Sequence, residues 1–219
     1  MSSGIVIFGA DSVFSAEAME TVRRLDMTII AAVLTGEPEW DLAGIEDVLE
    51  EADLDDALLT CPVVVPWVTP ALRRERVAKA RAVGFTSFAT LVDPASSIAS
   101  TAAVASGCYI NAQAAVGSHA KLDESVFLNR NSSVGHHTVL ESFASIGPGA
   151  NVAARCRVGS GAFIATGAAV APGVRVGANS VVGLGSAVIE EVPAGTLVAG
   201  TPARHIRSLH GQEMADNAR

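Results

Sequence analysis

The sequence predicts a mainly β chain, in which a parallel β-helix of hexapeptide repeats follows a small α/β Rossmann-like domain. From Leu91 onward the chain divides into 17 consecutive hexads without an insertion, and the second residue of each hexad is Val, Ile or Leu. The sixth residue of each hexad is Ser, Ala, Cys, Thr or Val. Residues 1–90 instead alternate apolar runs with helical patterns. We therefore predict an α/β domain over residues 1–90, the β-helix over 91–204 and a tail over 205–219.

The six-residue period has a physical explanation. A short strand points one branched side chain inward, and the chain then turns a corner where space is tight. The residue after the aliphatic one is often Gly, Ala, Asp or Asn, types suited to unusual backbone dihedrals. Three such strands close a triangular coil of 18 residues, and stacked coils bury a continuous aliphatic column.

The N-terminal segment carries the pattern of a small parallel sheet covered by helices. The predicted strands are Ile5–Phe8, Thr28–Leu34 and Val63–Val65, and the predicted helices are Ser15–Leu25, Ile45–Leu54 and Ala71–Val83.

The loop after the first strand reads GADSVFS, with a single glycine where a phosphate-cradling loop has two or three. The N-terminus of the following helix could hold a phosphate, although Asp11 would repel it. A nucleotide-binding domain, with Gly9 and Ala10 in contact with the substrate, and a purely structural domain are both open alternatives.

The hexad pattern resembles that of the hexapeptide-repeat acyltransferases. The resemblance implies a left-handed coil, which the period alone does not indicate, since parallel crossovers are normally right-handed. It also implies a homotrimer with active sites in the clefts between neighbouring prisms.

The histidines are candidates for the general base that acyl transfer from a thioester requires near neutral pH. His136 and His137 are adjacent in SVGHHT, and His119 precedes His137 by 18 residues, one full coil. His119 and His137 should therefore stack on the same corner. The alternative is that these are ordinary surface histidines.

From Gly9 to Arg204 the chain resembles the bacterial sugar acetyltransferases that include nucleotide-amino-sugar N-acetyltransferases and sialic acid O-acetyltransferases. It shares their order: a short α/β domain, the segment GFTSFATLVDP at 84–94, then the prism. The family pattern N-x5-6-H-[DE]-x-x-I-G is matched at Asn129 and His136. The resemblance implies that His136 is the general base and that Asn129 contacts the acceptor sugar.

Three positions depart from that family pattern. His137 replaces the acidic residue after the catalytic histidine, Glu141 replaces a glycine, and Ser145 replaces a second histidine. We assign His137 to the catalytic centre together with His136. The departures are also compatible with a different acceptor or with lost activity.

The segment from Pro193 to Arg204, PAGTLVAGTPAR, resembles the closing segment of coenzyme A-dependent members. The resemblance implies acetyl-CoA as co-substrate, with no metal. The cofactor-binding residues it implies are Ser145, Thr166, Gly183, Leu184, Gly200, Pro202 and Arg204. The alternative is that this segment only ends the prism.

The leading hypothesis is an acetyl-CoA-dependent sugar acyltransferase, with an amino sugar carried on a nucleotide as acceptor. One alternative is a catalytically silent trimeric scaffold. Another is a zinc lyase of the γ-type carbonic anhydrase class, which needs three histidine ligands, two of them five residues apart; no histidine follows His119, His136 or His137 at that spacing.

Composition excludes other classes of function. The net charge of −8 argues against nucleic-acid binding, and no apolar run approaches the roughly 18 residues of a membrane span. The start MSSGIVIFGA has no basic region of the kind that begins a secretory signal. Three cysteines without a CxxC pair suit the cytoplasm.

Overall fold

A computed structural model describes residues 4–42, 45 and 47–209. The N-terminal α/β part is a parallel sheet of four strands in the order β3-β2-β1-β4. Its strands are β1 (Gly4–Phe8), β2 (Thr28–Leu34), β3 (Val48–Glu50) and β4 (Val63–Val64). Its helices are α1 (Ser15–Arg24), α2 (Asp56–Leu59) and α3 (Pro70–Val83), with a 3-10 turn at Glu51–Asp53.

The predicted small parallel sheet is confirmed, and β2 has the predicted bounds. The predicted helix Ile45–Leu54 is wrong, because Val48–Glu50 forms a strand and a 3-10 turn follows it. The cause is tertiary: Ala32 to Leu34 offer a free strand edge, and Val48–Glu50 pairs with it in parallel. Residue 46 lies outside the described residues.

From Leu91 the chain forms 17 two-residue strands, β5 to β21, one for each predicted hexad. They are Leu91–Val92, Ser97–Ile98, Ala103–Val104, Tyr109–Ile110, Ala115–Val116, Lys121–Leu122, Phe127–Leu128, Ser133–Val134, Val139–Leu140, Ser145–Ile146, Asn151–Val152, Arg157–Val158, Phe163–Ile164, Ala169–Val170, Arg175–Val176, Val181–Val182 and Ala187–Val188. Each strand pairs in parallel with the strand 18 residues later, as Phe127 does with Ser145. The result is the left-handed β-helix, here called the prism, with the second residues of the hexads in its core.

Two positions of the hexad are constrained at the turn, the fifth by its backbone conformation and the third by the space available for a side chain. The fifth residue has a positive φ in every hexad from Gly107 to Gly185, and His119 and His137 occupy this position with φ of 58° each. The third residue, expected to supply the unusual dihedrals, is instead limited by space. A Cβ on Gly135 would lie 2.4 Å from the backbone nitrogen of Ala154 on the next coil.

The strands form three parallel sheets, one on each face of the prism. The first face begins with β5 and the second with β6. We call the turns that follow the strands of the first face the first edge; they include 111–114, 129–132, 147–150, 165–168 and 183–186. The turns that follow the second face form the second edge, which includes 117–120, 135–138, 153–156 and 171–174.

A hairpin closes the prism on its first face. Strand β22 (Thr196–Gly200) pairs in parallel with Val181–Val182 and antiparallel with β23 (Ala203–Ser208). Residues 205–208, predicted to belong to a tail, are therefore part of a strand. Residues 210–219 of the predicted tail lie outside the described residues.

The α/β part packs on the outward residues of the first face. The Thr21 hydroxyl of α1 donates to the Asp93 carboxylate at 3.2 Å, and it shares a hydrogen bond of 2.9 Å with the Tyr109 hydroxyl. Phe14 lies edge-on against Phe127, with ring centroids 5.1 Å apart. These contacts cover the first face beside the first edge.

Candidate active site

Three imidazoles meet on the second edge of the prism. The Nδ1 atoms of His136 and His137 lie 3.0 Å apart, within hydrogen-bonding distance. The rings of His119 and His137 have centroids 5.0 Å apart, which confirms the stacking that the 18-residue spacing predicts. All three side chains are exposed, so a substrate can reach them.

The geometry of the coils sets the direction of the His119 and His137 side chains. His119 and His137 both hold the left-handed conformation of the fifth hexad position, so their side chains leave successive turns in the same way. The His137 backbone N–H donates to the Ser118 carbonyl at 3.0 Å, and the His119 N–H donates to the Thr101 hydroxyl at 3.1 Å. The backbone under the cluster is thus fixed from coil to coil.

His137 is held towards its neutral form. Partial desolvation lowers the pKa of His137 below the ordinary histidine value, and the nearby His119, His136 and Arg155 add to the effect. An Nδ1···Nδ1 hydrogen bond requires one donor and one acceptor. A neutral His137 can be that acceptor, which leaves Nε2 of a neutral His136 unprotonated and able to take a proton.

Glu141, a departure from the family pattern, has a structural role. Its carboxylate pairs with Arg157 at 2.6 Å and accepts the backbone N–H of Ser160 at 3.0 Å. Both contacts hold the next coil. The carboxylate therefore does not replace the missing acidic partner of His136.

Asn129 lies on the first edge and is 4% exposed. Its Oδ1 accepts the backbone N–H of Arg130 at 2.8 Å and faces the Asn111 amide at 3.5 Å, one coil away. These contacts stabilise the turn and cover most of the side chain. Its predicted contact with a sugar stays a prediction.

The predicted cofactor residues Thr166, Gly183 and Leu184 also lie on the first edge. Thr166 is exposed, and Leu184 stands one coil further along with 75% of its surface exposed. The two turns are joined by the Gly185 N–H, which donates to the Thr166 carbonyl at 3.0 Å. A Cβ on Gly183 would lie 3.0 Å from the Cβ of Ala199, so the glycine admits the closing hairpin.

The closing hairpin brings three more predicted cofactor residues to this edge. The Gly200 N–H donates to the Ser186 hydroxyl at 3.1 Å, which ties the hairpin to the turn beside Leu184. Pro202 and Arg204 are exposed next to it, and the Arg204 guanidinium donates only to the neighbouring Ala203 carbonyl, at 3.0 Å, among the described residues. Arg204 thus presents a positive charge to solvent.

Ser145, the remaining predicted cofactor residue, is placed elsewhere. Its side chain is fully buried under the α/β part, and its hydroxyl donates to the Val68 carbonyl at 2.7 Å. Contact between this side chain and a cofactor is excluded in this conformation. The repeat pattern alone did not indicate that the α/β part covers this position.

The structure does not bring the predicted catalytic and cofactor residues together within one chain. His136 and His137 follow a strand of the second face, whereas Asn129, Thr166 and Leu184 follow strands of the first face. The two groups occupy different edges of the same prism.

The loop at Gly9 and Ala10 does not form a backbone phosphate cradle. Both N–H groups donate to the Val33 carbonyl, at 2.9 and 3.0 Å. Gly9 has a φ of +81°, and a Cβ there would lie 2.4 Å from Nε1 of Trp67. The glycine is needed for this turn and for the close approach of the indole.

Beside this loop is a cavity of about 540 Å³ at the carboxyl ends of β1 and β2. Its lining residues include Asp11, Phe14, Glu37, Trp67 and Arg76. No sequence pattern indicates Trp67 as a lining residue of this cavity, because its surroundings depend on how α3 folds back: Arg76 lies over the indole at 5.1 Å. Sites of small molecules are often found at this end of a parallel sheet.

Within residues 4–42, 45 and 47–209, no group of three or more His, Cys, Asp and Glu side chains is placed to hold a metal ion. None of the helices in that part of the chain is both long and apolar enough to cross a membrane.

No family model matches the chain, and no curated protein matches it. Solved structures do match it. One is a histidine-to-alanine mutant of the GDP-perosamine N-acetyltransferase of Caulobacter crescentus, in complex with CoA and GDP-perosamine. It is 24% identical with a TM-score of 0.82, over 95% of this chain and 98% of that chain.

Two further structures match over nearly their whole length. The acetyltransferase domain of PglB from Neisseria gonorrhoeae, in complex with acetyl coenzyme A, is 23% identical with a TM-score of 0.83, over 94% of this chain and 100% of that chain. WeeI from Acinetobacter baumannii is 25% identical with a TM-score of 0.73, over 92% and 99%. The resemblance to hexapeptide-repeat sugar acetyltransferases is confirmed at the level of the fold.

Proposed function

We propose that the protein transfers the acetyl group of acetyl-CoA to the amino group of a sugar carried on a nucleotide, with His136 as general base. The observation that carries this proposal is the exposed His136–His137 pair, with its Nδ1 atoms 3.0 Å apart. The fold shared with the GDP-perosamine N-acetyltransferase supports the choice of acceptor.

The His136–His137 pair can account for each proton transfer in this reaction. Acetyl-CoA supplies the acetyl group as a thioester. His136 takes a proton from the acceptor amine at Nε2 while the new carbon–nitrogen bond forms and the carbon–sulfur bond breaks. His136 then returns this proton to the departing sulfur, so the enzyme ends unchanged. His137 accepts the Nδ1–H of His136 throughout and keeps the ring oriented.

The first edge fits a coenzyme A chain. Leu184 offers exposed apolar surface and Thr166 an exposed hydroxyl, which suit a pantetheine arm, and Arg204 offers a charge for a phosphate. Ser145 is not part of this surface. We assign acetyl-CoA to the first edge of one chain and His136 to the second edge of its neighbour, so the proposed enzyme is a homotrimer.

The acceptor's nucleotide is assigned to the α/β part. Since the Gly9 and Ala10 N–H groups are occupied, we assign its recognition to side chains of the cavity, including Trp67 and Arg76. Three free cysteines, of which Cys108 and Cys156 are buried, support a reducing compartment, and we place the protein in the cytoplasm.

The test is an acetyl-transfer assay with a panel of nucleotide-linked amino sugars that begins with GDP-perosamine. The wild type should acetylate at least one member, and His136→Ala should lower kcat by about 10²- to 10⁴-fold, the usual worth of a general base. His205→Ala, which removes an exposed histidine on β23, serves as control. An active His136→Ala variant would assign the base elsewhere.

A further inference from the structure

His119 is a third imidazole that the proposed reaction does not use. Its ring is tilted by 43° against that of His137, at 5.0 Å between centroids. Among the described residues its ring makes no hydrogen bond, and only its backbone N–H is bonded, to Thr101. The ring contact of His119 is therefore with His137, the hydrogen-bond partner of the proposed base His136.

The protonation state of His137 decides whether His136 can act as a base. A doubly protonated imidazole has N–H groups on both nitrogens and accepts no hydrogen bond. His137 can accept the Nδ1–H of His136 only while it is neutral. If His137 were protonated, its Nδ1–H would donate to Nδ1 of His136, whose own proton would then lie on Nε2, and His136 could no longer take a proton there.

The surroundings of His137 disfavour its protonated form. The groups that act on its charge are His119 on the preceding coil, His136 beside it and Arg155 on the following coil, each of them cationic when protonated. Arg155 is always charged, and His136 is the partner itself. The acetyl transfer also leaves His119 without a role, and His119 is the member of this set whose ring lies 5.0 Å from that of His137.

We propose that His119 is a positioning residue, whose ring, stacked on His137, keeps His137 neutral and able to accept the hydrogen bond that orients His136. The role of His136 in this inference rests on the proposed function. The state of His137 does not, because it can be measured without any reaction.

Two substitutions of His119, by Asn and by Phe, are compatible with the backbone conformation of this position. His119 has a φ of 58°, and the same hexad position holds Asn131 at 57° and Phe143 at 62°. His119→Asn removes the ring and its charge, and His119→Phe removes the charge but keeps an aromatic ring. Either variant can serve if the other fails to fold. His205→Asn is the matched control.

The measurement is a pH titration of the ¹⁵N-labelled histidine rings by NMR, without substrate. In the variants His137 should take up its proton about half a pH unit higher than in the wild type, the size that charges 5.0 Å apart in water give. The His205→Asn control should leave this titration in place. An unchanged His137 titration in both folded His119 variants overturns the proposal.

The kinetic arm separates this inference from the proposed function. With an acceptor found by the panel, the acid limb of kcat should move to higher pH by the same amount in the variants, with KM for acetyl-CoA unchanged. A shifted NMR titration with no transfer by the wild type would remove the proposed function and leave the His119–His137 coupling in place. Transfer with an unshifted titration would remove the inference alone.

Discussion

In the proposed mechanism, His137 is the residue that orients the base His136. It replaces an acidic residue of the pattern that the chain resembles, yet its Nδ1 lies 3.0 Å from that of His136. A neutral imidazole offers one acceptor where a carboxylate offers several. The substitution therefore preserves the hydrogen bond and makes it sensitive to the protonation of His137.

A pair of substitutions tests this role of His137. Its φ of 58° suits Gly and Asp, so both variants are compatible with the turn. His137→Gly should lower kcat about fivefold, because it removes one hydrogen bond worth about 1 kcal/mol. His137→Asp keeps an acceptor and should lower kcat less. Equal losses in the two variants would argue that His137 only shapes the turn.

The site was predictable from the sequence where the repeat determines it. The 18-residue spacing of His119 and His137 is enough to predict their stacking, because pairing from coil to coil is strictly periodic. The burial of Ser145 was not predictable in this way. It depends on the docking of the α/β part on outward residues such as Tyr109 and Phe127, which the period leaves free.

At the scale of elements, the buried side chain of Arg73 joins helix α3 to the prism. Arg73 is 2% exposed and donates to the carbonyls of Trp67, Val68, Ser125, Phe143 and Ala144 at 2.6 to 3.2 Å. Desolvation lowers the pKa of this guanidinium to about 9. The five carbonyl bonds offset that cost and join the α/β part to successive coils.

Substitution of Arg73 should therefore destabilise the whole chain. Arg73→Met leaves several buried carbonyls without a donor and should lower the free energy of unfolding by about 3 kcal/mol or more. Urea unfolding at a fixed protein concentration measures this. Arg23→Met, on the exposed side of α1, is the control and should change it by about 0.5 kcal/mol or less. Equal losses of unfolding free energy in the two variants would contradict the role of Arg73 in joining α3 to the prism.

The strand β3 shows where element prediction fails. Its sequence is compatible with a helix, and the parallel edge of β2 is what selects a strand there. The 17 prism strands were predictable because each hexad repeats the same inward residue and small corner residue. A three-residue strand has no such repetition, so only its tertiary partner identifies it.

At the scale of the whole molecule, the proposed trimer follows from the placement of the candidate site residues on two different edges of the prism. His136 stands on the second edge and Leu184 on the first, so the proposed site forms only between chains. Analytical ultracentrifugation should give the mass of three 22.4 kDa chains. A monomer that transfers acetyl groups at full rate would contradict the division of the site between edges.

The most direct test of the account is calorimetric titration of the protein with acetyl-CoA, in parallel for the wild type and His136→Ala. Both should bind in the micromolar range, because removing a base from the second edge leaves the first edge intact. No detectable binding by the wild type would contradict acetyl-CoA-dependent transfer and would favour the alternative that the prism is a scaffold.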